Sequence, residues 1–390
     1  MPAPRLYLDH NATAPLRPCA RAAVLAALEG AGNPSSVHAE GRAARALIED
    51  ARDVVAAAFG VPRKDVVFTS GGTEAANLAL HLGVATLSQG FNAPQSPRAM
   101  AGATEHACIL QTNAHESVEP LPVDGAGRID LEALAQMLAG APGRPAVVAV
   151  QAANNETGVL QPVAEAARLT HDACGLLVCD AVQAAGRLPL SRDALGADLL
   201  IISAHKFGGP KGVGALIINS ERVRAHAPLI CGGGQEMGRR GGTENVAGIA
   251  GFGAALREAQ AGLAGEPARL AALRARLEVL VLEAAPDAVI FGAAAERLPN
   301  TSCFAVPGLS AETLLIALDL AGVAASSGAA CSSGKVKQSY VLAAMGVAPA
   351  LARGALRLSL GWSTTDDEIG RFGVLFADTV TRARRARAAA

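Results

Sequence analysis

Short, continuously apolar runs alternate with alanine-rich segments along much of the chain. The runs DVVFTS, RAMAG, AVVAVQ, GLLVCDAV, DLLIIS and GALIIN lack the regular apolar–polar alternation of a half-exposed strand. Such runs are typical of strands that are covered on both faces, and the segments between them, such as TEAANLALHLGVATLS, favour helices. The alternation therefore predicts a large, doubly wound, mostly parallel α/β domain over residues 15–255.

A different pattern follows residue 255. The segment PARLAALRARLEVLVLEAA (267–285) has apolar residues at helical spacing, and the shorter runs SCFAVPG, GVAASSG and ALRLSLG favour strands. These elements predict a smaller α+β domain that comprises residues 1–14 and 256–390. Within it, the segment AASSGAACSSGKVKQS (about 324–339) holds small and polar residues around Cys331 and is predicted to be a loop.

Composition and charge exclude several classes of partner. The 390 residues include 34 lysines and arginines against 35 aspartates and glutamates, which favours neither a nucleic acid nor an anionic membrane as partner. No apolar run approaches the ~20 residues of a membrane span, and the N-terminus lacks the apolar core of a signal peptide. We therefore expect a soluble protein located in the cytoplasm.

The cysteines indicate reduced thiols rather than a cross-linked framework. Seven of them are scattered along the chain, and an odd number at irregular spacing does not predict a set of disulfides. Cys174 and Cys179 lie five residues apart, which is not the spacing of zinc ligands. We expect no metal site belonging to the chain itself.

Candidate chemistry begins where the predicted strands end, because ligands of open α/β sheets bind at the carboxyl ends of the strands. After DVVFTS, a pair of glycines precedes a helix, so Gly72 and Thr73 would stand at a helix N-terminus whose free N–H groups attract phosphate. The spacing matches neither the dinucleotide nor the Walker pattern, and Thr73 could equally be only the helix cap.

Asp180 and Lys206 each follow a strongly apolar strand. A buried carboxylate needs a cationic or hydrogen-bonding partner, and a lysine in a pocket can become a nucleophile toward carbonyl groups. Each residue alone could be an ion pair or a solvated charge. Together with a phosphate site they are the groups that pyridoxal 5′-phosphate (PLP) needs. The site would anchor its phosphate, the aspartate would hold its ring nitrogen protonated, and the lysine would form the Schiff base. Lys211 is the alternative lysine, but it follows a glycine–proline turn.

Other polar residues are candidates for binding or proton transfer. His106 could transfer protons beside a cofactor ring, and Asn155 and Gln183 could bond to its phenolic oxygen, although a local hydrogen bond is as compatible with each of them. Arg357 could anchor a substrate carboxylate, but an arginine in a strand is also common at a sheet edge. Cys331 has no valine, leucine or isoleucine within four residues on either side, so a reactive and a structural role both remain open.

With these residues in place, the chain resembles the cysteine desulfurases of the NifS/IscS type, which are PLP enzymes of fold type I in the class V aminotransferase family. The resemblance extends nearly from end to end. It is carried by the motifs YLDHNATAP, GNPSSVH, FTSGGTEAANLA, ATEH, NNETGVLQP, DAVQAAG, SAHKFGGPKGVGAL, GGGQEMGRRGGTEN, SSGAACSSG and LRLSLG. The lysine motif and the cysteine segment together are especially specific.

The resemblance implies a role for each matching residue. Lys206 would form the Schiff base, Asp180 would hold the pyridine nitrogen, and His106 would stack on the ring and act as an acid and base. The ring oxygen and the phosphate would be held by Gly72, Thr73, Asn155, Gln183, Ser203 and His205. Arg357, with Asn155, would bind the substrate. Thr243 would reach the phosphate of a neighbouring subunit, so a homodimer is implied.

The resemblance also implies the reaction. L-cysteine would be converted to L-alanine, Cys331 would take up the sulfur as a persulfide, and an acceptor protein such as an iron–sulfur scaffold or another sulfur carrier would receive it. Lys335 and Lys337 would favour the thiolate of Cys331. One alternative is a selenocysteine lyase or a related PLP lyase or aminotransferase, which would tolerate loss of Cys331 with some substrates. Another is a catalytically silent relative, which the presence of Lys206 and Asp180 disfavours.

Overall fold

The computed structural model describes residues 5–90, 96–112, 117–224, 226–328 and 338–388. In chain order, the strands of this part are β1 (Leu6–Tyr7), β2 (Val66–Thr69), β3 (Arg98–Gly102), β4 (Glu119–Leu121), β5 (Ala146–Gln151), β6 (Leu176–Asp180), β7 (Leu199–Ser203), β8 (Gly214–Ile218), β9 (Val289–Ile290), β10 (Thr301–Ala305), β11 (Val323–Ala324), β12 (Ser326–Ser327) and β13 (Ala355–Ser359). The α-helices are α1 (Pro18–Leu28), α2 (Ala39–Phe59), α3 (Gly72–Gly90), α4 (Ala107–Leu110), α5 (Leu131–Ala139), α6 (Val163–Asp172), α7 (Arg192–Leu195), α8 (Val246–Gly262), α9 (Glu266–Ala284), α10 (Ala311–Leu320), α11 (Tyr340–Ala344), α12 (Pro349–Ala352) and α13 (Asp366–Ala388). None of the helices in these ranges is long and apolar enough to cross a membrane.

A seven-stranded sheet in the order β2-β8-β7-β6-β5-β3-β4 forms the centre of the larger part of the molecule. β8 runs antiparallel to β2 and β7, and the other neighbouring strands pair in parallel. The mostly parallel sheet predicted from the apolar runs is therefore confirmed. β4 is an additional edge strand that the pattern does not predict, because it has only three residues, with Pro120 in the middle and only Leu121 buried.

Both faces of this sheet are covered, which explains why its strands are continuously apolar. In β5, Val148 and Val150 belong to one hydrophobic core together with residues of α2, α5, α6 and α8. Val147 and Ala149 belong to a second core together with residues of α3. Successive side chains of a strand point to opposite faces, so each residue of β5 has an apolar layer to pack against.

A separate hydrophobic core joins the two ends of the chain. The antiparallel sheet β12-β13-β10-β9 packs with α9, α10 and α13, and Leu6 and Leu8 belong to the same core as Leu314 and Phe376. β1 also pairs in parallel with β11. The N-terminal residues therefore pack with the C-terminal elements. The domain limits at residues 14 and 255 stay a prediction, and α8 runs through the second limit.

The cysteine segment predicted over about 324–339 is described only at its two ends. Its first residues include Ala324 of β11 and both residues of β12, which ends at Ser327, and α11 begins directly after it at Tyr340. Cys331, Lys335 and Lys337 lie outside the described residues.

Candidate active site

A cavity of about 300 Å³ lies at the carboxyl ends of β5, β6 and β7, beside the N-terminus of α3. The strand ends meet because these strands are parallel and in register, with Gln151 opposite Asp180 and Asp180 opposite Ile201. The predicted site residues that line the cavity are Gly72, Thr73, His106, Asn155, Asp180, Gln183, Ser203, His205, Lys206 and Arg357. The structure thus brings together ten of the residues that the sequence singles out.

Asp180 stands at the last position of β6 and lines the cavity. Its Oδ1 accepts a hydrogen bond of 2.9 Å from the backbone N–H of Val182. Burial raises the pKa of Asp180, whereas that N–H and the charges of His106 and Lys206 act in the opposite direction. A cationic group placed beside Asp180 would stabilise its charged form further. The residue therefore has the environment expected of a partner for a protonated ring nitrogen.

Lys206 follows β7, and its Nζ donates hydrogen bonds to the backbone carbonyls of Asn11 at 2.6 Å and Ala12 at 3.0 Å. The N–H of Asn11 in turn donates to Ser359 Oγ at 2.8 Å, so an element of the smaller core holds the segment that positions the lysine. Lys211, the alternative lysine, is exposed and does not line the cavity. Sequence reasoning missed Asn11 and Ala12, because each contributes a backbone carbonyl and the residue type does not indicate such a role. Their membership of the motif YLDHNATAP was the available signal.

His106 is the N-cap residue of α4. Its Nδ1 accepts the backbone N–H of Cys108 at 3.2 Å and lies 3.0 Å from Cys108 Sγ. Because Nδ1 accepts a backbone hydrogen bond, the neutral ring carries its proton on Nε2, which is therefore the nitrogen suited to proton transfer. Cys108 also lines the cavity, and burial is the main cause that raises its pKa. Sequence reasoning missed Cys108, although its position two residues after a candidate histidine was a usable signal.

The predicted phosphate site lies where α3 begins. Gly72 and Thr73 line the cavity there together with Ser203 and His205, and the helix presents its positive dipole end to this region. A Cβ at Gly72 would lie 3.2 Å from Val182 Cγ2, so glycine keeps this part of the cavity open. Burial, assisted by nearby cations, lowers the pKa of His205 to about 4, which leaves its imidazole neutral at physiological pH.

The two predicted amide residues, Gln183 and Asn155, also line the cavity. Gln183 is held by Arg187, which donates to its Oε1 at 2.5 Å, while Gln183 Nε2 donates to the carbonyl of Asn11 at 3.1 Å. Asn155 Oδ1 is buried and has no hydrogen-bond partner among the described residues. A buried amide oxygen without a partner is costly, so Asn155 marks a point where a bound polar group would restore a hydrogen bond.

Arg357 lies on β13, which pairs with β10 on one side and β12 on the other, so it is not a charge at a sheet edge. Its side chain is only 2% exposed. Nη2 donates to Asp9 Oδ1 at 2.8 Å, Nη1 donates to the carbonyl of Asn155 at 3.0 Å, and Nε has no partner among the described residues. A buried guanidinium with an unused donor is suited to bind a carboxylate. Asp9, which orients it, was not predicted.

The remaining predicted site residues lie elsewhere. Thr243 is exposed and does not line the cavity of its own chain, so its contact with a neighbouring subunit stays a prediction. Cys331 lies outside the described residues, and its role also stays a prediction. Among the six described cysteines, Cys108 is the one that lines the cavity.

Comparisons with known proteins identify the family of the chain. A family model of the class-V aminotransferases matches residues 6–372. A cysteine desulfurase of Cereibacter sphaeroides is 43% identical over 375 residues, which cover 94% of this chain and 93% of that protein. The solved structure of the NifS-like protein of Rickettsia africae ESF-5 is 34% identical, with a TM-score of 0.85 and coverage of 96% of this chain and 99% of that one. The structure of SspA in complex with cysteine is 26% identical, with a TM-score of 0.78 and coverage of 91% and 98%.

The chain belongs to the class-V aminotransferase family. Within that family it belongs with the cysteine desulfurases of the NifS/IscS type, because the matches extend over nearly the whole of each compared protein. The family, the type I fold and the enzyme class predicted from the sequence are therefore confirmed.

Proposed function

We propose that this enzyme binds PLP in the cavity beside α3, takes sulfur from L-cysteine and releases L-alanine, leaving a persulfide on Cys331. The observation that carries the proposal is the convergence of ten predicted residues on one cavity. These residues are spread from Gly72 to Arg357 along the chain, and their types are those needed for a phosphate, a pyridine nitrogen, a Schiff base and a carboxylate.

The chemistry of the cavity fits PLP. The N-terminus of α3 and the buried hydroxyl of Ser203 suit its phosphate, and the Asp180 carboxylate suits its ring nitrogen. Asn155 Oδ1 has no hydrogen-bond partner within the described part of the chain, which leaves capacity for a bound group. When bound, PLP supplies an electron sink that makes the bonds around the α-carbon of an amino acid easier to break.

The chain's own residues would then have distinct roles. Lys206 Nζ, which the carbonyls of Asn11 and Ala12 hold in place, is the amine for attachment of the cofactor and afterwards a proton carrier. His106 would exchange a proton at Nε2, since Nδ1 is occupied by the Cys108 N–H. Arg357 would bind and orient the substrate carboxylate.

Cys331 is the proposed sulfur-accepting residue. Its thiolate forms a bond to the sulfur of the substrate while the carbon–sulfur bond breaks, and the carbon takes up a proton, so the carbon skeleton leaves as L-alanine. The sulfur remains on the enzyme as a persulfide until a sulfur acceptor protein, an iron–sulfur scaffold or another sulfur carrier, removes it. Binding of cysteine by SspA, a structural relative, supports L-cysteine as the substrate.

We also propose a homodimer in which Thr243 contacts the phosphate bound by the neighbouring subunit. The segment before Thr243 supports such an interface, because Leu229 and Ile230 expose apolar side chains there. The proposed location is the cytoplasm, which is compatible with six described cysteines that are all free thiols.

The experiment that tests the proposed function is a product assay. The PLP-loaded enzyme is incubated with L-cysteine and a thiol reductant, and L-alanine and sulfide are quantified together. Equal amounts of the two products are expected, from a protein with the visible absorbance of bound PLP. A selenocysteine lyase would consume L-selenocysteine but leave L-cysteine unchanged, and a silent relative would release no L-alanine from either. Both results would contradict the proposal.

Replacing Arg357 with lysine is expected to raise the KM for L-cysteine about 10- to 100-fold, because a charge-assisted hydrogen bond contributes roughly 1.5–3 kcal/mol. Lysine keeps the positive charge but loses the planar set of donors that matches a carboxylate. Steady-state kinetics measure the effect. Arg353→Lys, at an exposed position in the preceding turn, is the matched control and should behave as wild type. An unchanged KM in Arg357→Lys would assign the carboxylate contact to another group.

A further inference from the structure

Glu156 has no part in the roles assigned so far, yet its carboxyl group is buried beside the cavity wall. It follows Asn155 in the turn after β5, and its backbone N–H donates to Asn154 Oδ1 at 2.9 Å. Only 3% of Glu156 is exposed. Burying a carboxyl group costs free energy unless polar contacts replace its hydrogen bonds to water. The partners of the Glu156 oxygens are therefore informative.

Ser339, immediately before α11, supplies one of these contacts. Its Oγ donates to Glu156 Oε2 at 2.5 Å and accepts the backbone N–H of Leu342 at 3.0 Å. The hydroxyl of Ser339 thus uses its single proton toward Glu156 and a lone pair toward the Leu342 N–H. Ser339 is itself 2% exposed, so this bond is closed to solvent.

Gly328, immediately after β12, lies close to the same carboxyl oxygen. A Cβ at Gly328 would lie 3.3 Å from Glu156 Oε2 and 3.7 Å from the Cβ of Ser339. The Gly328 N–H also donates to the carbonyl of Ala355 at 3.0 Å, which ties this residue to β13. In the sequence, Gly328 and Ser339 lie on either side of residues 329–338, which include Cys331. One carboxyl oxygen of Glu156 therefore lies close to residues on both sides of Cys331.

A second hydrogen bond supports the same attachment. The hydroxyl of Tyr340, the residue after Ser339, donates a hydrogen bond of 2.7 Å to the backbone carbonyl of Glu105. Glu105 directly precedes His106. The end of the cysteine segment is thus bonded to Glu105 and to Glu156. Each of these is adjacent in sequence to a residue that lines the cavity, His106 in the first case and Asn155 in the second. Burial raises the pKa of Glu156 to about 7, against the effects of Ser339 and Arg357. Either protonation state can accept the Ser339 hydrogen bond, so the contact does not require a full negative charge.

We propose that Glu156 is a positioning residue for the sulfur-transfer step: by accepting the Ser339 hydrogen bond, it holds the C-terminal side of the segment that carries Cys331 against the turn that carries Asn155. This inference rests on the proposed role of Cys331. Loss of the contact would change the placement of the thiol relative to the substrate and leave the groups that bind the substrate in place. Misplacement of a reacting group by about 1 Å can cost on the order of 100-fold in rate.

Replacing Glu156 with alanine is expected to lower kcat for L-alanine formation about 10- to 100-fold, with the KM for L-cysteine changed by no more than about twofold. The change in cofactor absorbance on addition of L-cysteine should persist. Glu156→Gln keeps an oxygen that accepts the Ser339 hydrogen bond, so it should retain most of kcat. Ser339→Ala should lose activity in the same way, and Ser339→Thr should keep it because threonine retains the hydroxyl. Glu165→Ala, at an exposed position of α6, is the control for loss of a carboxylate.

The step affected is identified by single-turnover formation of the persulfide on Cys331, followed by mass spectrometry without reductant. It should slow to the same extent as kcat, and Glu156→Ala should have no further effect in the Cys331→Ala background. A raised KM with unchanged kcat, or loss of the absorbance change, would overturn the inference, because Glu156 would then act on binding. If Glu156→Ala fails to fold, the comparison of Ser339→Ala with Ser339→Thr decides.

The same measurements separate the two proposals. If Cys331→Ala still forms L-alanine at the wild-type rate, the proposed function fails and the role of Glu156 fails with it. If Cys331→Ala is inactive but Glu156→Ala and Ser339→Ala turn over as fast as wild type, the proposed function stands and only the role of Glu156 is refuted.

Discussion

Replacing Cys331 with alanine is expected to reduce L-alanine formation from L-cysteine by at least about 1,000-fold, the scale seen when an enzyme loses its nucleophile. The carbon–sulfur bond breaks only as the sulfur is transferred to a thiolate, and alanine cannot accept it. Cofactor absorbance should be equal in mutant and wild type, because the ten predicted residues lining the cavity are unchanged. Alanine release in the presence of a thiol reductant, at equal cofactor content, measures the effect.

Among the described cysteines, Cys108 is the one that could produce residual activity in this variant, since it lines the cavity and its Sγ lies 3.0 Å from His106 Nδ1. Burial raises the pKa of Cys108, which disfavours the reactive thiolate at neutral pH. The double variant Cys331→Ala/Cys108→Ala should therefore remove any remaining turnover. Cys174→Ala, which removes an exposed thiol, should match wild type. Equal alanine release by wild type and Cys331→Ala would indicate a lyase that works without this thiol.

Replacing Lys206 with alanine is expected to abolish measurable L-alanine formation, a loss of at least about 10,000-fold, because both the attachment of the cofactor and a proton carrier are removed. The variant also loses a cation whose charge lowers the pKa of Asp180. Purified Lys206→Ala should retain less PLP. The measurements are visible absorbance, PLP content and alanine release.

Lys211→Ala is the matched control for this change, because Lys211 lies five residues away, is exposed and does not line the cavity. It should keep both absorbance and rate. Lys206→Arg separates charge from chemistry, since arginine keeps the positive charge but does not form the Schiff base; it should be inactive. Retained activity in Lys206→Ala together with loss in Lys211→Ala would move the attachment site to Lys211.

Most of the large sheet could be predicted because its information is local. β5, β7 and β8 are buried along their whole length and β6 at every residue but the last, and a continuous apolar run is what such burial requires. β4 could not be found in this way. It is a short edge strand with Pro120 at its centre. It forms because β3 offers a free edge beside it, and its own residues carry no strand pattern.

Three of the predicted site residues share one property that explains why they could be found. Asp180, Ser203 and Lys206 are polar residues placed at or just after the end of an apolar strand, and parallel strands bring such ends to one edge of a sheet. The missed residues act differently. Asn11 contributes a backbone carbonyl to Lys206, and Asp9 contributes a carboxylate to Arg357 from 348 positions away.

By itself, the sequence determined the covered, mostly parallel sheet, the helix N-terminus at Gly72 and the types of reacting group available, because periodicity and residue identity are local properties of the chain. Only the tertiary structure decided that Asp9 orients Arg357, that Asn11 holds Lys206, and that Glu156 meets Ser339 across 183 positions. The physical reason is that hydrogen bonds form over about 3 Å between atoms whose separation is set by the packing of whole elements, and no local pattern encodes that distance.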